Sequence, residues 1–351
     1  MSQEKKMKVN PIPAKTWYWL KVNDAEVTLS KDAKMGTAKE EIPRDISLTT
    51  VDGLDQIKTG MGPEILEDMN EHGVEGKAFV AKAGTNVKEP VRICICPGDK
   101  KEMFRYGIYG EKDSEVTVIM LVRGDGDGEL SLLTQIRAEE NARVRLVQVY
   151  LNGGEATCVN DIGGEAEKNA RIEVVHIFLG GNPTMSGCHI ALNGKGSSHR
   201  ADVGFMQEGH QQIDMNYVAS HVGKKTVSEI YDTGVLKEEA RKIFRGTIDF
   251  IRGCSEASGT ESEEVLLMDD TVINRTVPTI LCGEEDVEGN HGATIGKLAD
   301  DLVFYLESRG MSKEEIYQMV AIGKIIGVAH QIEDEETEKQ VADFLGVGEE
   351  D

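Results

Sequence analysis

One stretch of the sequence occurs twice, 28 residues apart. Ala138–Leu151 reads AEENARVRLVQVYL and Ala166–Leu179 reads AEKNARIEVVHIFL, with seven of fourteen positions identical. A repeat of this period is typical of stacked architectures, because one unit alone cannot bury its apolar face. Within each copy, apolar residues alternate with polar ones such as Arg145 and Gln148, as in half-buried strands, and glycines follow. The repeat therefore predicts a parallel β-helix.

The rest of the chain divides into three parts around this repeat. Residues 1–77 are expected to form a mixed, partly helical segment, residues 78–296 the β-helix core, and residues 297–351 an α-helical domain. Ser312 and Glu315 have the spacing of a capping box, which marks the start of a helix. We expect the helical tail either to cap the β-helix or to hold a partner. The aromatic cluster Trp17–Leu20 is expected to be buried against a neighbouring element.

The overall charge and the apolar pattern exclude several classes of function. A formal net charge of -23 disfavours binding to nucleic-acid phosphates and to anionic membrane surfaces. No window approaches the roughly 20 apolar residues of a membrane span, and the N-terminus does not resemble a secretory signal. Six cysteines without regular spacing favour reduced thiols. These features predict a cytoplasmic protein.

Two segments carry candidate chemistry. Gly289–Lys297 (GNHGATIGK) superficially resembles a phosphate-binding loop, but His291 and Leu298 stand where that motif needs glycine and serine or threonine. We therefore expect this chain to bind no nucleotide. The segment 282–291 combines a thiol, four carboxylates and an imidazole, a set that iron, zinc or an iron–sulfur cluster accepts. A plain loop is the alternative interpretation.

Several histidines recur at intervals of about ten residues, as successive strands would present them. They are weak candidates for metal ligands because no cysteine or carboxylate pattern accompanies them. The residues are His189, His199, His210 and His221.

The C-terminal third resembles the SufB/SufD family of the SUF iron–sulfur assembly system. The resemblance is carried by the combined signature HGAT, FYL and SRG, with further matches upstream. The matching residues are Phe244, Gly246, Ile248, Leu266-Leu267, Val277-Pro278, Asp286-Val287, His291–Leu298, Phe304–Leu306 and Ser308–Gly310. The strong match covers roughly residues 240–330, and Trp17–Leu20 loosely matches an N-terminal aromatic segment of the family.

The resemblance implies a fold and a function. It implies a right-handed parallel β-helix with helical terminal domains, paired with a second family member as a homodimer or heterodimer. It also implies that the C-terminal helices bind the ABC-type ATPase subunit SufC, which hydrolyses the nucleotide. The complex is then a non-catalytic scaffold that carries a transient iron–sulfur cluster as its cargo.

The resemblance carries over to individual residues unevenly. The histidine proposed as a cluster ligand in SufD-type members falls on His291. SufB-type members have a glutamate where this chain has Gly292, and a cysteine where it has Glu263. We therefore expect His291, with Cys282, Glu263 or Glu264, to ligate metal. The expected ATPase-binding region includes Phe304, Tyr305, Arg309, Ile316 and Met319.

The sequence leaves two alternative functions open, and it also leaves open which of two subunit roles the chain has. A partner that positions the ATPase without touching metal is possible because the SufB-type cysteine is missing. A carbohydrate-active β-helix enzyme is less favoured, because the HGAT signature and the missing export signal weigh against it. The chain is either the single SufB/SufD-like subunit of a minimal system or a SufD-type subunit beside a longer paralogue.

Overall fold

A computed structural model describes residues 4–124 and 126–347. The protein is mainly β, with 21 strands, four α-helices and one 3-10 helix in the described residues. The strands are β1 (Glu4–Val9), β2 (Ala25–Ser30), β3 (Ala33–Met35), β4 (Lys39–Glu41), β5 (Ile46–Thr50), β6 (Lys77–Ala81), β7 (Val91–Ile95), β8 (Lys101–Gly110), β9 (Glu115–Gly124), β10 (Glu129–Ala138), β11 (Arg143–Asn152), β12 (Thr157–Ala166), β13 (Arg171–Gly180), β14 (Thr184–Leu192), β15 (Ser198–Gln207), β16 (Gln212–His221), β17 (Val227–Leu236), β18 (Arg241–Phe250), β19 (Ala257–Leu267), β20 (Ile273–Cys282) and β21 (Val287–Gly296). The helices are α1 (Glu64–Glu71), α2 (Asp300–Glu307), α3 (Lys313–Ala329) and α4 (Glu335–Phe344), and the 3-10 helix is Tyr18–Leu20.

The predicted parallel β-helix is confirmed. Sheet 1 runs in the order β20-β18-β16-β14-β12-β10-β8-β6-β5, and sheet 2 in the order β21-β19-β17-β15-β13-β11-β9-β7-β4. Successive strands alternate between the two sheets and form about eight turns. The sequence repeat corresponds to one turn, because β11 and β13 are hydrogen-bonded in register, with Val144 beside Ile172 and Tyr150 beside Phe178.

One corner of each turn uses a residue with left-handed backbone. Asp113, Asn141 and Asn169 occupy this corner in three successive turns, with φ of 57°, 60° and 54°. Asparagine and aspartate tolerate this conformation better than other side chains do. The Asn169 amide donates to Asn141 Oδ1 at 3.1 Å, and the Asn141 amide donates to Asp113 Oδ1 at 2.6 Å. The side chains at this corner therefore also stack with the period of the coil.

The space between the two sheets, which we call the lumen, is filled with side chains. Tyr150 and Phe178 stack there with ring centroids 5.1 Å apart. Gln148, expected on a half-exposed face, instead lies fully buried in the lumen, and its amide accepts a hydrogen bond from Asn160 at 2.7 Å. The expectation of half-buried strands was wrong here, because β11 and β13 are covered on both faces.

The tail helices cover the outer face of sheet 2. The capping box of α3 is confirmed by the Ser312 side chain and Glu315, each of which bonds the other's backbone. Ile325 and Val328 of α3 and Val341 of α4 pack against the outer face of sheet 2, on Val147 and Val175 among others. The helices thus run along the side of the coil and leave its last turn uncapped. No helix in the described residues is long and apolar enough to cross a lipid bilayer.

The N-terminal segment is joined to both sheets of the β-helix. β5 pairs with β6 and β3 with β8 in sheet 1, and β4 pairs with β7 in sheet 2. The segment also crosses the outer face of sheet 1 closely, because a methyl group added at Gly60 would lie 2.0 Å from the Cys188 nitrogen. A glycine is required there, since backbone meets backbone.

The aromatic cluster was expected to be buried, and this expectation was wrong. Trp17, Tyr18 and Trp19 are 73%, 84% and 71% exposed, and the 3-10 helix Tyr18–Leu20, which begins directly after Trp17, has no buried residue. The alternation of apolar residues that marks a buried face is absent from this short segment, so its aromatic content alone did not determine burial.

Two of the recurring histidines, His199 and His221, prove to be buried side chains with hydrogen-bond partners, and so does His176 of the repeat. His221 contacts the hydroxyls of Thr226 at 2.7 Å and Ser228 at 2.8 Å, and His199 contacts the Ile172 carbonyl at 3.0 Å. Burial lowers the pKa of His199 and His221 to about 4, and that of His176, in the lumen, to about 3. The folded protein therefore keeps these imidazoles neutral near neutral pH.

We expect the contribution of His199 and His221 to the free energy of unfolding to fall as the pH is lowered from about 6.5 to about 4. In the unfolded chain each imidazole takes up a proton below a pKa of about 6.5, whereas in the folded chain it does not until about 4, so the fold loses stability over this interval. Buried carboxyls with raised pKa values, such as Asp161, act in the opposite direction, and a histidine variant separates the two effects. The variant His199→Gln/His221→Gln should therefore lose less melting temperature than the wild type over this interval, in thermal melts followed by circular dichroism. His210→Gln, at an exposed position, is the matched control. An unchanged slope in the double variant would contradict the assignment.

Candidate functional site at the open end of the β-helix

The coil stops at two strands that have no partner on their outer side. β20 is the last strand of sheet 1 and β21 the last strand of sheet 2 among the described residues. Residues 288–295 of β21 are all exposed, in contrast with the buried strands that precede them. We call this region, β20 and β21 with the turn 283–286 between them, the open end. Unpaired N–H and C=O groups along such edges are ready to bond another chain.

His291 lies at the open end and is directed toward the mouth of the lumen. It pairs in register with Glu261 of β19, and residues in register on parallel strands point to the same side of a sheet. Glu261, Glu263 and Val265 are among the buried, lumen-facing residues of β19. The imidazole of His291 therefore continues an interior column of side chains, yet it is exposed because no further turn covers it.

Cys282 lies at the same open end but at some distance from His291. It is the last residue of β20 and is exposed, and it pairs in register with the lumen-facing Phe250 of β18. A methyl group added at Gly289 would lie 3.1 Å from Ile280 Cγ2, so Gly289 faces Ile280 and His291 faces Pro278. Cys282 is four residues beyond Pro278, which corresponds to about 13 Å along a strand.

The two glutamates predicted as ligands are engaged in ion pairs. Glu263 is 1% exposed in the lumen, where it contacts the ammonium group of Lys242. Glu264 points outward from β19 and contacts Lys324 of α3. Glu264 thus fixes the tail helix to the strand beside β21, and Glu263 belongs to a buried charge cluster.

This charge cluster lies directly beneath His291, and sequence reasoning missed most of it. Lys242 Nζ lies 2.9 Å from Asp232 Oδ2 and also contacts Glu263, and all three side chains are excluded from solvent. Glu261, the neighbour of His291, completes the cluster. The only sequence signal was the spacing of one turn, since Glu261 precedes His291 by 30 residues and Asp232 precedes Glu263 by 31.

The cluster contains three carboxylates and one ammonium group in a region with little water. Burial and the neighbouring carboxylates of Glu263 and Asp232 raise the pKa of Glu261 to about 8, against the opposing effect of Lys242. Burial likewise raises the pKa of Asp232 to about 6. Protons are therefore retained in the lumen close to the open end at neutral pH.

The predicted ATPase-binding residues divide between surface and core. Phe304, Tyr305 and Met319 are 72%, 53% and 47% exposed, and the Arg309 guanidinium lies 5.0 Å from the centre of the Tyr305 ring. Ile316, in contrast, is fully buried against Val235 and Leu266 together with Val303 of α2. Ile316 therefore attaches the helical tail to sheet 2 and is not available on the surface.

The donors present at the open end are suited to iron but are incomplete in one chain. Imidazole nitrogen and thiolate sulfur are accepted ligands of iron and of iron–sulfur clusters. Within residues 4–124 and 126–347, no three histidine, cysteine, aspartate or glutamate side chains are placed to hold a metal ion together. His291 and Cys282 thus present two separate donors at an uncovered edge.

Comparisons with known proteins find relatives that are named as iron–sulfur cluster assembly proteins. The chain is similar to the SufD iron–sulfur cluster assembly protein of Bacillus subtilis, with 25% identity over 78% of this chain and 64% of that protein. It is similar to the SufD protein of Escherichia coli, with 26% identity over 44% of this chain and 37% of that protein. A SufBD family protein of Mycobacterium leprae is 29% identical over 37% of this chain and 15% of its own length.

The matched parts therefore span less than two thirds of these relatives' own lengths. A family model described as the SufBD core domain of SUF system FeS cluster assembly matches residues 98–324, which is more than half of the chain. That range includes every strand from β8 to β21, and therefore the open end. It also includes most of α3. The chain therefore belongs to the SufBD core family of the SUF iron–sulfur cluster assembly system.

Proposed function

We propose that this chain is a non-catalytic scaffold subunit of the SUF complex, on which a transient iron–sulfur cluster is assembled as cargo. The observation that carries the proposal is the position of His291. It stands on the unpaired last strand of a SufBD core domain, aimed at the mouth of the lumen and exposed. A scaffold needs donors that are reachable by incoming iron and sulfide and by an acceptor protein, and an uncovered edge supplies them.

The donor set is completed across a dimer interface. One chain contributes His291 and Cys282, which are about 13 Å apart along the strand direction. A second family member paired end to end would bring its own donors to the same place. The open end suits this pairing because two sheets stop there together, and a second coil has two edges with the same separation. The partner is a second copy or a SufB/SufD paralogue.

The ATPase binds to the exposed side of α2 and the start of α3. Phe304, Tyr305 and Met319 are exposed, and the Arg309 guanidinium lies over the Tyr305 ring; aromatic and arginine side chains of this kind dominate protein interfaces. The proposed partner is a SufC-type ABC ATPase, which supplies the nucleotide hydrolysis. The name of the family supports this assignment through its SUF context.

The tail provides a mechanical link between this surface and the open end. Val303 and Ile316 pack on Leu266 of β19, and Lys324 contacts Glu264 of the same strand. β19 is the only neighbour of β21 in the described chain. Movement of the helices by the ATPase would therefore act on the strand that supports His291.

One observation favours a second candidate function. Two of the four residues expected as ligands, Glu263 and Glu264, are already neutralised by lysines within the chain. This arrangement is compatible with a structural partner that positions the ATPase and holds no metal. Iron and sulfide analysis distinguishes the two functions.

We expect the charge-inserting substitution Ile295→Asp to weaken dimerisation about tenfold or more. Ile295 is 42% exposed on β21 and in register with the lumen-facing Val265, so a carboxylate there would be buried between the two ends. Sedimentation equilibrium measures the dissociation constant. Leu48→Asp, on β5 at the other end of sheet 1, is the matched control and should leave it unchanged. Equal dissociation constants for wild type and Ile295→Asp would refute pairing through the open end.

His291→Ala and Cys282→Ala should each reduce the iron and sulfide bound after anaerobic reconstitution to below roughly half of the wild-type amount, since each removes a donor of a shared site. His210→Ala and Cys96→Ala replace an exposed imidazole and an exposed thiol away from the open end and serve as controls. Wild-type stoichiometry in both site variants would remove these residues as ligands. Wild-type protein that binds no iron, with or without the ATPase, would favour the metal-free positioning role.

Phe304→Ala and Tyr305→Ala should each weaken binding of the purified ABC ATPase about tenfold or more, because truncation of an exposed aromatic anchor removes a large contact area. Isothermal titration calorimetry gives the affinity. Phe344→Ala, on α4, also truncates an exposed aromatic residue and should have little effect. If all three variants bound like the wild type, the ATPase surface would have to lie elsewhere.

A further inference from the structure

A rigid loop with an exposed aromatic tip stands beside the open end. The loop, residues 16–23, carries Trp17, Tyr18 and Trp19, each more than two thirds exposed. Large aromatic side chains that remain in water beside an unpaired edge have no role within the isolated chain. Contiguous exposed apolar surface of this kind marks an interaction site.

The base of the loop is closed by three hydrogen bonds. Asn23 Oδ1 accepts from the Thr16 backbone N–H at 2.8 Å and from the Thr16 hydroxyl at 2.9 Å. The Asn23 amide in turn donates to the Thr16 carbonyl at 3.0 Å. Inside the loop, the Lys21 N–H donates to the Tyr18 carbonyl at 3.2 Å. The loop backbone is therefore fixed at its base and through one turn before any partner binds, which lowers the entropic cost of binding.

Two arginines place this tip at the level of the last strand. Arg245 of β18 donates to the Val22 carbonyl at 2.6 Å, and Arg275 of β20 donates to the Leu20 carbonyl at 3.4 Å. Val22 is thus bound to β18, and Leu20 is bound to β20, which is the next strand of sheet 1 toward the open end. Trp17, Tyr18 and Trp19 precede Leu20 in the chain, so the tip lies near β20, the last strand of sheet 1.

We propose that this aromatic loop clamps a second copy of the chain across the open end. The inference rests on the proposed dimer. A two-fold axis at the open end places each loop over the last strands of the other copy's sheet 1, so that the clamp is reciprocal. Lys15 and Lys21 flank the tip and are exposed, which brings positive charge toward a second copy whose formal net charge is also -23.

The aromatic loop adds buried surface area that pairing of the strand edges alone does not provide. Two strand edges alone present narrow backbone surfaces, whereas a stable interface buries about 800 Å² on each partner. Tryptophan and tyrosine each bury about 150–250 Å² when they are fully covered. Three such residues from each chain supply the aromatic anchors that stable interfaces use.

The sequence provides a direct spectroscopic test, because Trp17 and Trp19 are the only tryptophans of the chain. Full-length protein is diluted through its dissociation constant while tryptophan emission, acrylamide quenching and sedimentation are recorded. We expect the dimer to show blue-shifted emission and reduced quenching, both lost on dissociation. Trp17→Ala and Trp19→Ala should each raise the dissociation constant about tenfold or more, while Leu48→Ala does not change it.

The possible outcomes separate the clamp from the dimer itself. A dimer whose tryptophans are quenched as readily as those of the monomer would overturn the clamp and leave the dimer standing. A chain that stays monomeric at all concentrations would overturn both. Shielding that appears only when the ABC ATPase is added would assign the loop to that partner and refute a second copy. Trp17→Phe and Trp19→Phe, which keep an aromatic tip, should dimerise close to wild type and show that loss in the alanine variants is not misfolding.

Discussion

The parallel hydrogen-bond ladder between successive turns is the interaction on which the rest of this structure depends. Each turn consists of two strands that cannot bury their own faces, and each is stabilised by the turn before and the turn after it. The ladder keeps equivalent residues in register, so a side chain at one level lies over its equivalent in the next turn. A coil of this kind has unpaired strand edges where the ladder stops, and the last turn, β20 and β21, is such an end.

The lumen shows how polar groups are accommodated in such a coil. Mid-coil, Gln148, Asn160 and His176 are fully buried, and each makes at least one side-chain hydrogen bond. Near the open end the interior becomes charged, with Lys242 held between Asp232 and Glu263. Buried ion pairs seldom add stability, because desolvation offsets their attraction. We therefore attribute to these charges, one turn below His291, an effect on the electrostatic potential at the open end rather than stabilisation of the coil.

The helical tail determines which surfaces remain free. Because α3 and α4 cover the outer face of sheet 2, the apolar residues on both faces of β11 and β13 are buried, and the last turn stays open. The same placement turns α2 outward and exposes Phe304 and Tyr305. A tail that capped the coil would have hidden His291, so the side-on packing of the helices is what makes an end-to-end partner sterically possible.

The sequence alone was sufficient for the coil, the capping box of α3 and the family, because each depends on local pattern. The 28-residue spacing fixes the register, Ser312 and Glu315 lie within one helical turn, and the HGAT, FYL and SRG signature falls within the short segment 291–310. The tertiary structure alone decided which faces are covered and which charges meet. Gln148 proved to lie in the lumen, Ile316 to be buried and Trp17 to be exposed. Glu263 and Glu264 form ion pairs with lysines distant in sequence. The physical reason is that burial and ion pairing depend on neighbours contributed by other turns and by the tail helices, and no local pattern contains that information.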